Sequence, residues 1–110
     1  MGQPSKPWTK ILKSLRQRRL PEPLGIYGAG FYGSVIATRL TQKAECFIDI
    51  NPYLQGLGHL NIQVVSTENC PKDVASIFIG LNPKRAREIL GENPDWKPKD
   101  AALIHLDGKD

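Results

Sequence analysis

The stretch LGIYGAGFYGSVIATRL, residues 24–40, constrains the fold more than any other part of the chain. It is a short apolar run, three glycines in close succession, and then apolar side chains at helical spacing. Gly28-Ala29-Gly30-Phe31-Tyr32-Gly33 has the form G-x-G-x-x-G, set between an expected strand over 24–28 and an expected helix over 31–42. In such a turn Gly28 permits the tight bend and Gly30 lets the backbone come close to a ligand. Gly33 lets the helix lie against the sheet. The helix that follows offers free N–H groups and a partial positive charge to an anion. The same glycines also suit a strand-to-helix bend that binds nothing.

The rest of the chain repeats the alternation. Residues 44–50 (AECFIDI) are almost continuously apolar up to Asp49, as in a parallel strand covered on both faces. Asn51-Pro52 and the glycines at 56 and 58 mark a loop. Residues 62–65 (IQVV) read as a third strand, and Ser66 or Thr67 can cap a brief helical turn ahead of Pro71. Residues 74–80 read as a fourth strand. Asn82-Pro83 opens a helix running to Leu90, with asparagine suited to the cap and proline to the first helical position. Residues 101–106 (AALIHL) read as a fifth strand. The expectation is an α/β domain: a small open parallel sheet of about five strands with flanking helices and right-handed crossovers.

Charge separates the N-terminus from this body. Six of the fifteen basic residues (Lys6, Lys10, Lys13, Arg16, Arg18 and Arg19) fall within the first 21 positions, where there is no acid. Trp8, Ile11, Leu12 and Leu15 follow i, i+3, i+4 and i+7, so residues 8–20 read as an amphipathic helix begun after Pro7 and stopped by Pro21 and Pro23. Residues 1–23 are thus a basic helix and linker, and 24–110 the folded domain. With one aromatic residue, Trp8, in the segment and no basic stripe beyond it, nucleic acid is disfavoured as a partner and a solvated helix face favoured. The apolar stripe still needs a cover, either the sheet or another chain: a homodimer or a catalytic partner. No run is long enough for a membrane helix. Cys46 and Cys70 lack metal-ligand spacing and read as reduced thiols of a cytoplasmic protein; no metal site is expected.

Asp49 stands 21 residues after Gly28, at the expected carboxyl end of the second strand, where an acid can accept hydrogen bonds from ribose hydroxyls. Ile50 follows it, with no arginine for a 2′-phosphate, so NAD is favoured over NADP. The alternative is that Asp49 bonds the backbone of the Asn51-Pro52 turn. Lys84 and Arg85 lie in the first turn of the helix after the fourth strand, at the same edge of the sheet. Cations are disfavoured there by the helix dipole, which suggests service to a phosphate; a solvated pair is the alternative.

With these residues together, the run YGAGFYGSVIATRL…CFIDINPYLQG…IQVVSTENCP…ASIFIGLNP resembles the small Rossmann-like domains attached to sugar-modifying and methyl-transferring enzymes. The patterns it resembles are the N-terminal domain of CapD-like polysaccharide-biosynthesis proteins, the C-terminal domain of sugar C-methyltransferases, and the module beside some FkbM-type methyltransferases. The similarity spans roughly residues 24–90, and Asp-x-Asn-Pro-x-x-x-Gly at 49–56 is its more specific part. It implies a nucleotide or nucleotide-sugar module, usually accessory to a catalytic domain; the residues read together as the binding set are Gly28, Ala29, Gly30, Phe31, Tyr32, Gly33, Asp49, Asn51, Lys84 and Arg85. Phe31 and Tyr32 depart from the pattern, being bulky where small or charged residues are common; they crowd a pyrophosphate or stack on a base.

Chemistry by this chain alone has little support in the sequence. Tyr27 and Tyr53 have no lysine four residues on, His105 sits in an apolar strand, and Cys70 has no activating base. His59, in a glycine-rich loop, is the better proton-transfer candidate. The expected function is therefore binding of NAD or a nucleotide sugar without catalysis. Two alternatives remain: an interaction domain with a vestigial glycine turn, and a small NAD-dependent oxidoreductase fragment.

Overall fold

A computed structural model describes residues 20–91 and 93–105, with side chains at all of these except 83 and 84. The expected amphipathic helix over 8–20 lies outside the described residues apart from Leu20.

The chain forms an α/β structure built on one six-stranded sheet. The strands are β1 (Leu24–Tyr27), β2 (Ala44–Ile48), β3 (Gly58–His59), β4 (Ile62–Val65), β5 (Ser76–Ile79) and β6 (Ala102–Ile104). Their spatial order is β3-β4-β2-β1-β5-β6, and every pairing is parallel except the β3–β4 hairpin. Two helices serve the crossovers, α1 (Phe31–Arg39) between β1 and β2 and α2 (Pro83–Leu90) between β5 and β6. A 3-10 turn, Thr67–Asn69, follows β4, with the Ser66 hydroxyl accepting the Asn69 N–H. Among the described residues no helix is long and apolar enough to cross a membrane.

Alternation along the central strands divides the core into two layers, because successive side chains point to opposite faces. Leu24, Ile26, Phe47 and Phe78 share one face with Ile36 of α1. Tyr27, Cys46, Ile48, Ile77 and Ile79 share the other with Ala86 of α2. That second layer is closed by Trp96, whose ring stacks on Tyr27 at 5.2 Å between centroids. Both faces of the central strands are covered, which is why their sequences read as continuous apolar runs.

Several element boundaries differ from the sequence reading, each for a local reason. α1 stops at Arg39 and not at residue 42. Leu40 turns extended, and the Gln42 amide then clamps Leu20, accepting its N–H at 2.8 Å and donating to its carbonyl at 2.9 Å. β2 ends at Ile48: Asp49 still donates its N–H to the Val65 carbonyl at 2.9 Å, while its carboxylate bonds the turns on either side of it. β3 is a sixth strand in a region read as loop, and it exists because Leu60 and Asn61 (φ 53° and 63°) form a two-residue hairpin turn.

The seat of α1 on the sheet is set by a close approach of three glycines. Gly28 has φ +95°, and a Cβ there would lie 2.9 Å from the Gly80 carbonyl oxygen. A Cβ at Gly33 would lie 1.8 Å from the Gly28 carbonyl oxygen, and one at Gly80 would lie 2.7 Å from the Gly33 Cα. The ladders run past the strand ends here, with the Gly28 N–H donated to the Ile48 carbonyl and the Gly80 N–H to the Tyr27 carbonyl, both at 2.7 Å. Alanine is the better helix former by about 1 kcal/mol, yet at Gly33 the steric clash outweighs that gain. Gly33→Ala and Gly80→Ala should each lose about 3 kcal/mol or more in urea unfolding, whereas Gly30→Ala should lose about 1 kcal/mol at most. Equal losses at all three positions would contradict this packing.

Candidate functional site

The glycine turn, Gly28 to Gly33, leaves β1 at the carboxyl edge of the sheet and opens α1. Its first helical bond runs from the Ser34 N–H to the Gly30 carbonyl at 2.9 Å. No side chain caps this helix: Gly30 occupies the N-cap position, and a Cβ built on it would meet nothing within 4 Å. The backbone of the turn is therefore open at Gly30 and tightly filled at Gly28 and Gly33. Free N–H groups at such an end suit an anion.

Asp49 sits beside the turn. One carboxylate oxygen accepts the Ala29 N–H at 2.8 Å, and the other accepts the Asn51 N–H at 2.8 Å. The bond to the Asn51-Pro52 turn is the alternative weighed from the sequence; the bond to Ala29 was not foreseen. A carboxylate has about four lone-pair positions, so two remain for other donors. The Asn51 side-chain oxygen accepts the Tyr53 N–H at 2.9 Å, and the Gln55 amide donates to the Asp49 carbonyl at 2.9 Å. The loop after β2 is thus held as a series of local side-chain-to-backbone bonds, with Asp49 tying it to the glycine turn.

The two aromatics of the turn part company. Phe31 is 71% exposed, whereas Tyr32 is half-buried against the α1 layer of the core, and their rings meet edge to face at 5.5 Å. Of this pair, Phe31 is the ring accessible to a ligand. Arg85 is exposed in the first turn of α2, which starts after Asn82 at the same carboxyl edge. Lys84 belongs to that turn as well, with its side chain outside the described set. Because β5 is paired directly with β1, the start of α2 stands next to the glycine turn, and the Leu81 side chain reaches within 3.5 Å of where a Gly28 Cβ would be.

His59 was a proton-transfer candidate, and the hairpin carries it to α1. Its Nε2 lies 2.7 Å from the Ser34 hydroxyl, which also donates to the Gly30 carbonyl at 2.8 Å, and its ring packs against Phe47 at 5.1 Å. The side chain thus braces the first turn of the helix. Tyr27 is buried beneath Trp96, and burial, with a smaller contribution from the Asp49 charge, raises its phenol pKa above the ordinary 10.0. His105 is buried at the end of β6. Of these groups His59 is engaged by Ser34 and Phe47, and Tyr27 and His105 are buried.

A cleft of about 810 Å3 runs between the 3-10 turn and the loop bearing Trp96, away from the glycine turn and Asp49. It borders Cys70, whose thiol burial pushes up from its ordinary value. Cys46 is buried within the sheet and is pushed up to about 12, mainly by burial and further by the neighbouring Cys70, Glu45 and Asp73 charges. Neither thiol is a poised nucleophile.

These shifts have a direction that can be tested. Below the ordinary thiol pKa of 9.0 both folded and unfolded chains keep Cys46 protonated, so it has no effect on the pH dependence. Above it the unfolded chain ionises first, so stability should fall as pH rises from 9.0 toward about 12. Urea unfolding across that range should show the decline, and Cys46→Ala should flatten part of it. Native-state alkylation of Cys46 at pH 8 should proceed only as fast as the chain opens. Rapid alkylation of the folded chain would contradict its burial.

No protein-family model matches this chain, and no curated protein matches it.

Proposed function

We propose that the chain is a Rossmann-like nucleotide-binding module that takes NAD or a nucleotide sugar across the carboxyl edge of its sheet. The observation carrying this reading is the position of the open glycine turn. Counted alone, the parallel strands have the spatial order third-second-first-fourth-fifth, and the order reverses between β1 and β5. In open α/β sheets, ligands bind in the crevice at that reversal, outside the carboxyl ends of the strands. Here that position is occupied by the glycine turn, with unfilled space over Gly30.

In this reading the N–H groups at the start of α1 receive the phosphates, and Asp49 uses its remaining lone pairs for ribose hydroxyls. The exposed ring of Phe31 offers a stacking surface, and Lys84 and Arg85 supply positive charge from the next helix. His59, the proton-transfer candidate, is engaged by Ser34 and Phe47, which favours a module accessory to a sugar-modifying or methyl-transferring enzyme over an oxidoreductase acting alone. A second reading has its own support: the Asp49 carboxylate already bonds Ala29 and Asn51, so the turn is internally satisfied without a ligand. An interaction domain with an unused glycine turn would look the same there.

A thermal-shift panel separates the two, using NAD, NADP, nucleotide sugars and S-adenosylmethionine on the wild type and on Gly30→Ala. A ligand at a hundredfold its Kd adds about 2.7 kcal/mol, several degrees of Tm for a domain of this size. The expected result is that one compound raises the Tm of the wild type and not of Gly30→Ala, whose methyl group fills the open space while the fold persists. If no compound shifts the wild type, the second reading stands.

A further inference from the structure

The described elements do not cover the two faces of the sheet alike. α2 lies on one face, and the connection from β4 to β5 places Cys70 and Val74 on that face as well. Trp96, in the loop before β6, packs there too. α1 is the described helix of the opposite face, and it meets β5 where Gly33 lies against Gly80, past the carboxyl end of that strand. β6 stands two strand spacings from β1, roughly 10 Å, about the full width of a helix. Yet Phe78 of β5 and Ile104 of β6, which share the α1 layer, are 0% and 6% exposed. The outer half of this face therefore needs a cover beyond α1, which is seated over β1.

Leu20 shows where that cover comes from. It is buried in the same layer, and the Gln42 amide holds both its N–H and its carbonyl. The residues after it are pinned to the amino end of β5. There the Ser76 hydroxyl donates to the Pro21 carbonyl at 2.8 Å, and the Ala75 N–H donates to the Pro23 carbonyl at 2.9 Å. The chain preceding Leu20 thus departs from the α1 side of the sheet, next to β5.

The sequence of that segment matches the need. Trp8, Ile11, Leu12 and Leu15 form one apolar stripe, with Lys10 and Lys13 on the opposite side of the wheel. A helix over 8–19 is about 18 Å long, enough to run the length of the four-residue β5, about 13 Å. Because the segment is tethered at Leu20, it meets this face at an effective concentration of about a millimolar, which a separate partner of ordinary abundance does not reach. We propose that residues 8–19 dock as a helix on the α1 side of β5 and β6, beside α1, with the apolar stripe turned toward Phe78 and Ile104. The occupant of this face is then the chain's own N-terminal segment, and the stripe is not left for a second copy. The proposal is independent of the nucleotide reading, since its tests use no ligand.

Photo-crosslinking of the full chain, with Leu12 replaced by p-benzoylphenylalanine, tests it. After irradiation, peptide mass spectrometry should join residue 12 to residues 75–79 or 101–105 within one chain. Crosslinks that appear as a chain–chain dimer on a denaturing gel overturn the proposal, because the stripe then meets another copy. Crosslinks to the α2 side of the sheet, or none at all, overturn it as well. A second measurement avoids the bulky probe. Leu12→Ala combined with Leu15→Ala keeps or raises helix propensity but removes apolar contact, so the Tm should fall by several degrees and by the same amount at every protein concentration. Lys10→Ala combined with Lys13→Ala, on the opposite side of the wheel, should leave the Tm unchanged. An unchanged Tm for the leucine pair, or a loss that depends on concentration, contradicts docking within the chain.

Discussion

The close approach of Gly28, Gly33 and Gly80 is the constraint on which the rest of the structure depends. It lets α1 sit so near the ends of β1 and β5 that no Cβ fits between them. Everything at the carboxyl edge takes its place from that contact. The bend at Gly28 brings the Ala29 N–H to Asp49, and the depth of α1 puts Ser34 within reach of His59. It also lets Ile36 fill the layer beneath Phe47 and Phe78. A looser helix would leave that layer short of contacts and the turn without its latch. Close packing of this kind tolerates little, because a protein interior has few voids into which an added methyl group can move.

Asp49 is the second organising element, and it works in two directions. Its carboxylate joins the loop after β2 to the turn after β1, and charge-assisted bonds to backbone N–H groups are among the stronger ones. The carboxylate is therefore held in place before any ligand arrives. That is an advantage for a ribose site, because no ordering cost remains to be met on binding. It is also why internal satisfaction of the carboxylate does not by itself separate a binding site from a structural latch. The lone pairs left over, together with the unfilled space above Gly30, are what a ligand would use.

The sequence was most readable where a single local rule decides the outcome. The β4 span Ile62–Val65 and the α2 span Pro83–Leu90 follow directly from apolar runs and from an Asn-Pro start. The turn at Gly28 is legible from its spacing between a strand and a helix. Contacts between distant positions were not legible. Gly80 read as the end of a strand, because nothing local says that its missing side chain makes room for Gly33. Gln42 read as the last residue of a helix, yet its amide holds the chain at Leu20. β3 was missed because Leu60 carries no turn signal: leucine is a residue that a two-residue hairpin normally excludes. Trp96 gave no warning that it would close the second core layer by stacking on Tyr27.

These elements converge at one edge of the molecule. The Asp49–Ala29 bond helps shape the proposed nucleotide site. Phe31 begins the helix that opens at the glycine turn, and its ring is exposed there. A ligand stacked on that ring would exclude water from the rim of the glycine turn, where electrostatic interactions gain strength as water leaves.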